Sequence, residues 1–252
     1  MIPSYRKIRK KLADDNQFFK YSRYAIGEIV LVVVGILIAL QINNWHKSNE
    51  KKELKSIYLE RLINDIKQDT ANIAFVRSEI ELNQKVIKDL VTNINKIDDL
   101  EKTDMLFYNY FETGWIILEF VPTTNTYTDL SQTGNMNIIN NPDLVDEIIQ
   151  YYSWMTQVEN SNNVNKSWIT PIDQEVAKST AAFELDPATS GLFKHKNRKD
   201  ALKNLNMNRE LIERNGAGHY WINESLSENL LAMHGLCLNL LETLEKEYQL
   251  TK

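Results

Sequence analysis

One cysteine, five prolines and eight glycines in 252 residues leave this chain short of everything that staples or punctuates a fold. A single Cys excludes an internal disulfide and any Cys-rich zinc module. So few Gly and Pro argue against a sandwich or barrel built on many tight turns. The charge balance is slightly acidic, with 29 Lys and Arg against 34 Asp and Glu, which argues against a general nucleic-acid binder. At 43% hydrophobic and 25% charged residues the chain is neither disordered nor collagen-like, and its length suits one to two domains. Recognisable chemistry is absent too. The four His residues form no HExxH motif, and there is no Walker A loop, GxGxxG or GxSxG. His234 and Cys237, three apart, would make half of a metal site, but two residues at the edge of a core stripe is the simpler account. We therefore expect no catalytic residues, no metal and no cofactor.

What is present is unevenly distributed. Residues 1–23 carry seven basic residues (Arg6, Lys7, Arg9, Lys10, Lys11, Lys20, Arg23) against Asp14 and Asp15, a surplus of five, so the remainder carries ten net negative charges. Ile2, Tyr5, Ile8 and Leu12 recur at helical spacing within that segment, which suits a short basic amphipathic helix on an anionic leaflet or a solvated tail. Tyr24 to Ile42 follows, with Glu28 its one charge and an unbroken apolar run from Ile29 to Leu40. As a helix those 19 residues span roughly 28 Å, close to the hydrocarbon thickness of a bilayer. Tyr21, Tyr24 and Trp45 stand where interfacial aromatic anchors belong. A cleaved signal peptide is the rival reading, but QINNWHKSNE after Leu40 offers no small-x-small cleavage site. The expectation is a retained single-pass helix, residues 24–45. The basic flank puts residues 1–23 in the cytoplasm and the rest outside it. Ala25, Glu28, Gly35 and Ala39 share one face of that helix, and Gly35-xxx-Ala39 is a step that lets a second helix approach closely. Glu28 lies about one turn inside, within reach of the headgroups.

After the membrane the pattern becomes a heptad. Leu59, Leu62, Ile66, Asp69, Ile73, Val76, Ile80, Asn83, Ile87, Leu90, Ile94 and Ile97 step by three and four, and no Gly or Pro falls between Gly35 and Gly114. This predicts one long helix over 46–100 with a coiled-coil seam, in which Asp69 and Asn83 are candidates to fix register. The same seam serves an intramolecular bundle equally well. Over 101–252 we expect a helical domain. Its aromatic block at 104–121 ends at Pro122, and a short helix caps at Thr123 or Thr124 and stops at Gly134. A long helix begins at Asn141-Pro142-Asp143 and reaches the Ser179 region. A loop covers 183–197, a shorter helix runs to about Arg214, and Asn215–Gly218 breaks it before a last helix. The fold class is all-α.

Two stretches resemble a known family. Arg23 to Trp45, RYAIGEIVLVVVGILIALQINNW, with Tyr5-Arg6-Lys7-Ile8-Arg9 upstream, and Tyr127 to Tyr152, YTDLSQTGNMNIINNPDLVDEIIQYY, are similar to an uncharacterised family of single-pass inner-membrane proteins of Bacteroidetes-type Gram-negative bacteria, grouped as a domain of unknown function. Met136 and Ile138 stand where Leu is more usual in that family. The resemblance implies an inner-membrane anchor and a periplasmic helical domain, and it brings no catalytic residues. Two functions are consistent with all of this. The first is a structural or scaffolding protein, with the bilayer, further copies of itself as a homo-oligomer and other envelope proteins as partners, and no nucleic acid. The second is a sensory or ligand-binding module, which would have to signal through a partner because about 23 cytoplasmic residues are too few for an output domain. An unrecognised enzyme ranks third.

Overall fold

The computed structural model describes residues 17–96 and 100–251, and every described element is helical or irregular. The chain divides into two units, Met1–Lys55 and Ser56–Lys252. Helix α1, Gln17–Asn93, contributes to both. In the first unit every described side chain from Ala25 to Leu54 is exposed, including the whole apolar run Ile29–Leu40. The expected basic helix at Ile2, Tyr5, Ile8 and Leu12 lies outside the described residues, as does Ile97 at the end of the seam.

The second unit is built on three long helices: α1 from Ser56 onward, α4 (Pro142–Ser179) and α7 (Arg209–Thr251). Helix α7 runs antiparallel to α1, as successive side-chain pairs show: Glu60 with Tyr248, Lys67 with Glu245, Gln84 with Glu224 and Asn95 with Glu213. One core gathers Leu59–Ile80 of α1, Leu144–Val158 of α4 and Leu226–Leu244 of α7. A second core, at the far end, joins Ile87, Leu90 and Ile94 to α2 (Leu100–Asn109), α5 (Ala182–Leu185), α6 (Arg198–Met207) and Ile212. The short helix α3 (Asn125–Gln132) brings Leu130 into the first core. Local rules account for most boundaries. Asn141 caps α4 by accepting from the backbone N–H of Leu144 at 3.3 Å, with Pro142 and Asp143 in the first turn. Gly134, at φ 71°, occupies the left-handed position just after α3 that a side chain would strain.

Four expectations need correction. Helix α1 ends at Asn93, short of residue 100. The aromatic block is helical only to Gly114. It closes in a π-turn, Tyr110–Gly114, in which the Trp115 N–H bonds the Tyr110 carbonyl at 2.8 Å, and Ile116–Thr124 is irregular before Pro122 can act. The loop at 183–197 holds α5's end and a 3₁₀ turn, Ser190–Phe193. Asn215–Gly218 breaks nothing: α6 already stops at Met207, and α7 passes straight through both glycines. The reason is packing. A Cβ on Gly216 would lie 3.3 Å from Val91 and 3.4 Å from Leu90, and one on Gly218 would lie 2.4 Å from the tip of Ile169. These glycines let α7 lie close against α1 and α4, which is worth more than their poor helix propensity costs.

Candidate functional site

The bundle interior holds three polar clusters: two tie α1 to the segments that cover it, and the third ties the π-turn and Trp115 to α4 and α7. In the first, Asp69 is fully buried. Its Oδ1 accepts from the Thr123 N–H at 2.8 Å and its Oδ2 from the Tyr151 hydroxyl at 2.9 Å, while Cys237 Sγ donates to that hydroxyl at 3.4 Å. Burial raises the Asp69 carboxyl above its ordinary value of 3.8, although both hydrogen bonds pull the other way. Burial likewise pushes the Tyr151 hydroxyl and the Cys237 thiol up.

In the second cluster, Asn83 Nδ2 donates to the carbonyls of Thr113 at 2.5 Å and Ile116 at 3.3 Å, at the end of the π-turn, where the Thr113 carbonyl also accepts from the Ile116 N–H at 3.3 Å. Asn223 of α7 completes it by donating to Asn83 Oδ1 at 2.7 Å.

The third cluster was not legible in the sequence. Asp173 Oδ1 accepts from Trp115 Nε1 at 2.9 Å and from Asn215 Nδ2 at 2.7 Å, and lies 2.8 Å from His219 Nε2. The Tyr110 hydroxyl donates to Asn215 Oδ1 at 2.6 Å. Burial alone would raise the Asp173 carboxyl, but His219, Asn215 and Trp115 together hold it below 3.8. Burial, with the Asp173 charge, pushes the Tyr110 hydroxyl well up. An Asp–His pair invites a catalytic reading, and its surroundings argue against one. His219 is 1% exposed, and the hydroxyls and thiol of these clusters are held in their neutral, unreactive forms. Among the described residues no group of three or more His, Cys, Asp or Glu could hold a metal. Cys237 faces Tyr151, so it does not pair with His234.

The seam residues Leu62, Ile66, Asp69, Ile73, Val76, Ile80, Asn83, Ile87, Leu90 and Ile94 are all buried, and what buries them is the chain itself, α4 and α7 above all. Ala25, Glu28, Gly35 and Ala39 are exposed on α1, with nothing within 4 Å of a Cβ built on Gly35. Trp45 is 68% exposed, and the side chains of Tyr21 and Tyr24 lie outside the described residues. The apolar part of α1 is long and apolar enough to cross a membrane, and none of it is buried in the chain.

A family model matches residues 28–167, more than half of the chain. The chain belongs to DUF6090, a family of unknown function. The DUF6090 match begins at Glu28, inside the apolar helix, and takes in Asp69, Asn83, Thr123 and Tyr151. It stops before Asp173, Asn215, His219, Asn223 and Cys237, so the third cluster has only Tyr110 and Trp115 within it. No curated protein matches the chain significantly, and no solved structure does.

Proposed function

We propose that this member of DUF6090 is a single-pass inner-membrane protein of the bacterial envelope, with residues 1–23 in the cytoplasm and a periplasmic helical domain that acts as a docking scaffold. One observation carries the reading: an apolar helical run long enough to span a bilayer has no side chain covered by the rest of the chain. Some twelve exposed aliphatic side chains in water would be an aggregation hazard, and lipid is the solvent that removes it. The family match reaches into this helix, which supports an anchor that belongs to the working protein and not to a discarded leader. The basic surplus before Tyr24 sets the orientation.

Self-association, if the scaffold uses it, has to act outside the heptad seam, because α4 and α7 occupy that seam. The face of Ala25, Glu28, Gly35 and Ala39 is the candidate. A reporter enzyme fused after Lys252 tests the topology: a reporter active only in the periplasm should work there and a cytoplasmic one should not. The intact mass should retain the residues before Tyr24, and a mature start between residues 39 and 50 would identify a cleaved leader instead.

A further inference from the structure

Helix α1 does not stop where the apolar run ends. It continues unbroken through residues 46–55, HKSNEKKELK, and the charges there are sorted by face. At about 100° of rotation per residue, and counting from Lys47, Lys51 lies near ~40°, Lys55 near ~80° and Lys52 near ~140°. Glu53, His46 and Glu50 fall together on the other side, between ~240° and ~300°. That second face is partly satisfied within itself, since His46 Nε2 lies 3.3 Å from Glu50 Oε1. The lysine face is not. Lys47, Lys51 and Lys52 are exposed, and none forms an ion pair or a side-chain hydrogen bond with a described residue.

The direction of the chain aims these ammonium groups at the bilayer. Side chains on a helix lean toward its N-terminus, and what lies N-terminal to these lysines is the apolar run Ile29–Leu40. Lys47 stands seven residues beyond Leu40, roughly 10 Å along the axis, and Lys51 roughly 16 Å. A lysine stem laid back along the helix returns about one turn of that distance, ~5 Å. The headgroup layer is itself about 5–7 Å deep on each side of the hydrocarbon. The Lys47 ammonium therefore reaches the level of the lipid phosphates, and those of Lys51 and Lys52 come within a Debye length of about 8 Å. Trp45, 68% exposed, sits just before them, where an interfacial anchor belongs. A bilayer presents phosphates at this level whatever else surrounds it, so position selects lipid as the occupant.

We propose that Lys47, Lys51 and Lys52 bind the headgroup of an anionic phospholipid in the leaflet from which α1 emerges, with Lys47 and Lys51, one turn apart, sharing a single phosphodiester. The proposal rests on the bilayer-spanning reading of α1 and not on its orientation.

The test reconstitutes the full chain in phosphatidylcholine vesicles. Electron paramagnetic resonance then reads how much spin-labelled phosphatidylglycerol, or spin-labelled phosphatidylcholine, is immobilised at the protein. Wild type should prefer the anionic lipid by roughly threefold or more. The triple variant Lys47→Gln, Lys51→Gln, Lys52→Gln should lower that preference by at least about half, and arginine at all three positions should restore it. Lys51→Glu combined with Glu53→Lys keeps the net charge but breaks up the face, and it should lower the preference too. All of these side chains are exposed, so the variants should keep the circular dichroism of the wild type. Equal retention of the two lipids by wild type overturns the proposal. So does a full preference in the glutamine variant, which would place the lipid elsewhere, or in the charge-conserving variant, which would reduce the site to bulk charge. A preference abolished by millimolar inorganic phosphate at constant ionic strength also overturns it, because the lysines would then take the free ion. Reversed topology is read by the reporter and a cleaved anchor by the intact mass, so failure of either reading is told apart from failure of the lipid site.

Discussion

Two buried carboxylates, Asp69 and Asp173, sit in the same bundle and respond to acid in opposite senses. The fold holds Asp173 below 3.8, so the stability it contributes is present above that pH and is lost as the pH falls through the lowered value. The fold holds Asp69 above 3.8, so the unfolded chain ionises first, and stability is lost as the pH rises from 3.8 through the raised value. In urea titrations between pH 3 and 7, Asp173→Asn should blunt the loss of stability on the acid side. Asp69→Asn should instead remove the decline on the neutral side; a variant whose pH profile overlays that of the wild type would refute the assignment of that residue. Asp173→Ala is a harsher change. It strands the Trp115, Asn215 and His219 donors around one empty acceptor, and it should cost about 2–4 kcal/mol.

At the scale of elements, the glycines of α7 separate packing from propensity. Gly216→Val must push into Leu90 and Val91, and we expect about 1–3 kcal/mol of destabilisation. Gly235, in the same helix, has open space where a Cβ would go, so Gly235→Ala should stabilise by about 1 kcal/mol. Thermal melts of both variants check the pair. The reading of Asn215–Gly218 as a break failed because glycine's preference for turns is a local rule. The constraint that placed these glycines comes from Val91 and Ile169, more than forty residues away. The seam teaches the same lesson from the other side. Three–four spacing from Leu59 to Ile94 identified the buried face of α1 residue by residue, because burial of a stripe is what helical periodicity encodes. It could not say what covers that face, since a second copy and the chain's own α4 and α7 satisfy the same stripe. Asp173 and His219 were invisible for a related reason. They lie forty-six residues apart on antiparallel helices, and only the register of α4 against α7 brings them together.

For the whole molecule, the decisive fact is that the bundle closes within Ser56–Lys252. Residues 56–252 produced alone should therefore be soluble, helical by circular dichroism, and cooperative on melting. An aggregated or molten product would mean that the bundle needs the first unit. Ile80→Asp and Ile87→Asp in the intact protein should act on folding and not on assembly, since both side chains are at or near zero exposure against the chain's own helices. Each should cost several kcal/mol and lower the melting temperature, whatever the oligomeric state measured by light scattering.

The pairing of Glu60 with Tyr248 spans 188 residues of sequence, and the cover that α7 gives to α1's apolar stripe comes from the other end of the chain. During synthesis that stripe leaves the ribosome, and by the proposed topology crosses the membrane, long before α7 exists to cover it. Closing the bundle is thus a late, high-contact-order event, slow for a helical protein. Chains stalled just before Arg209 should present the Leu59–Ile94 surface to periplasmic holding chaperones, and crosslinking from Ile73 should capture those contacts and lose them once Thr251 has emerged.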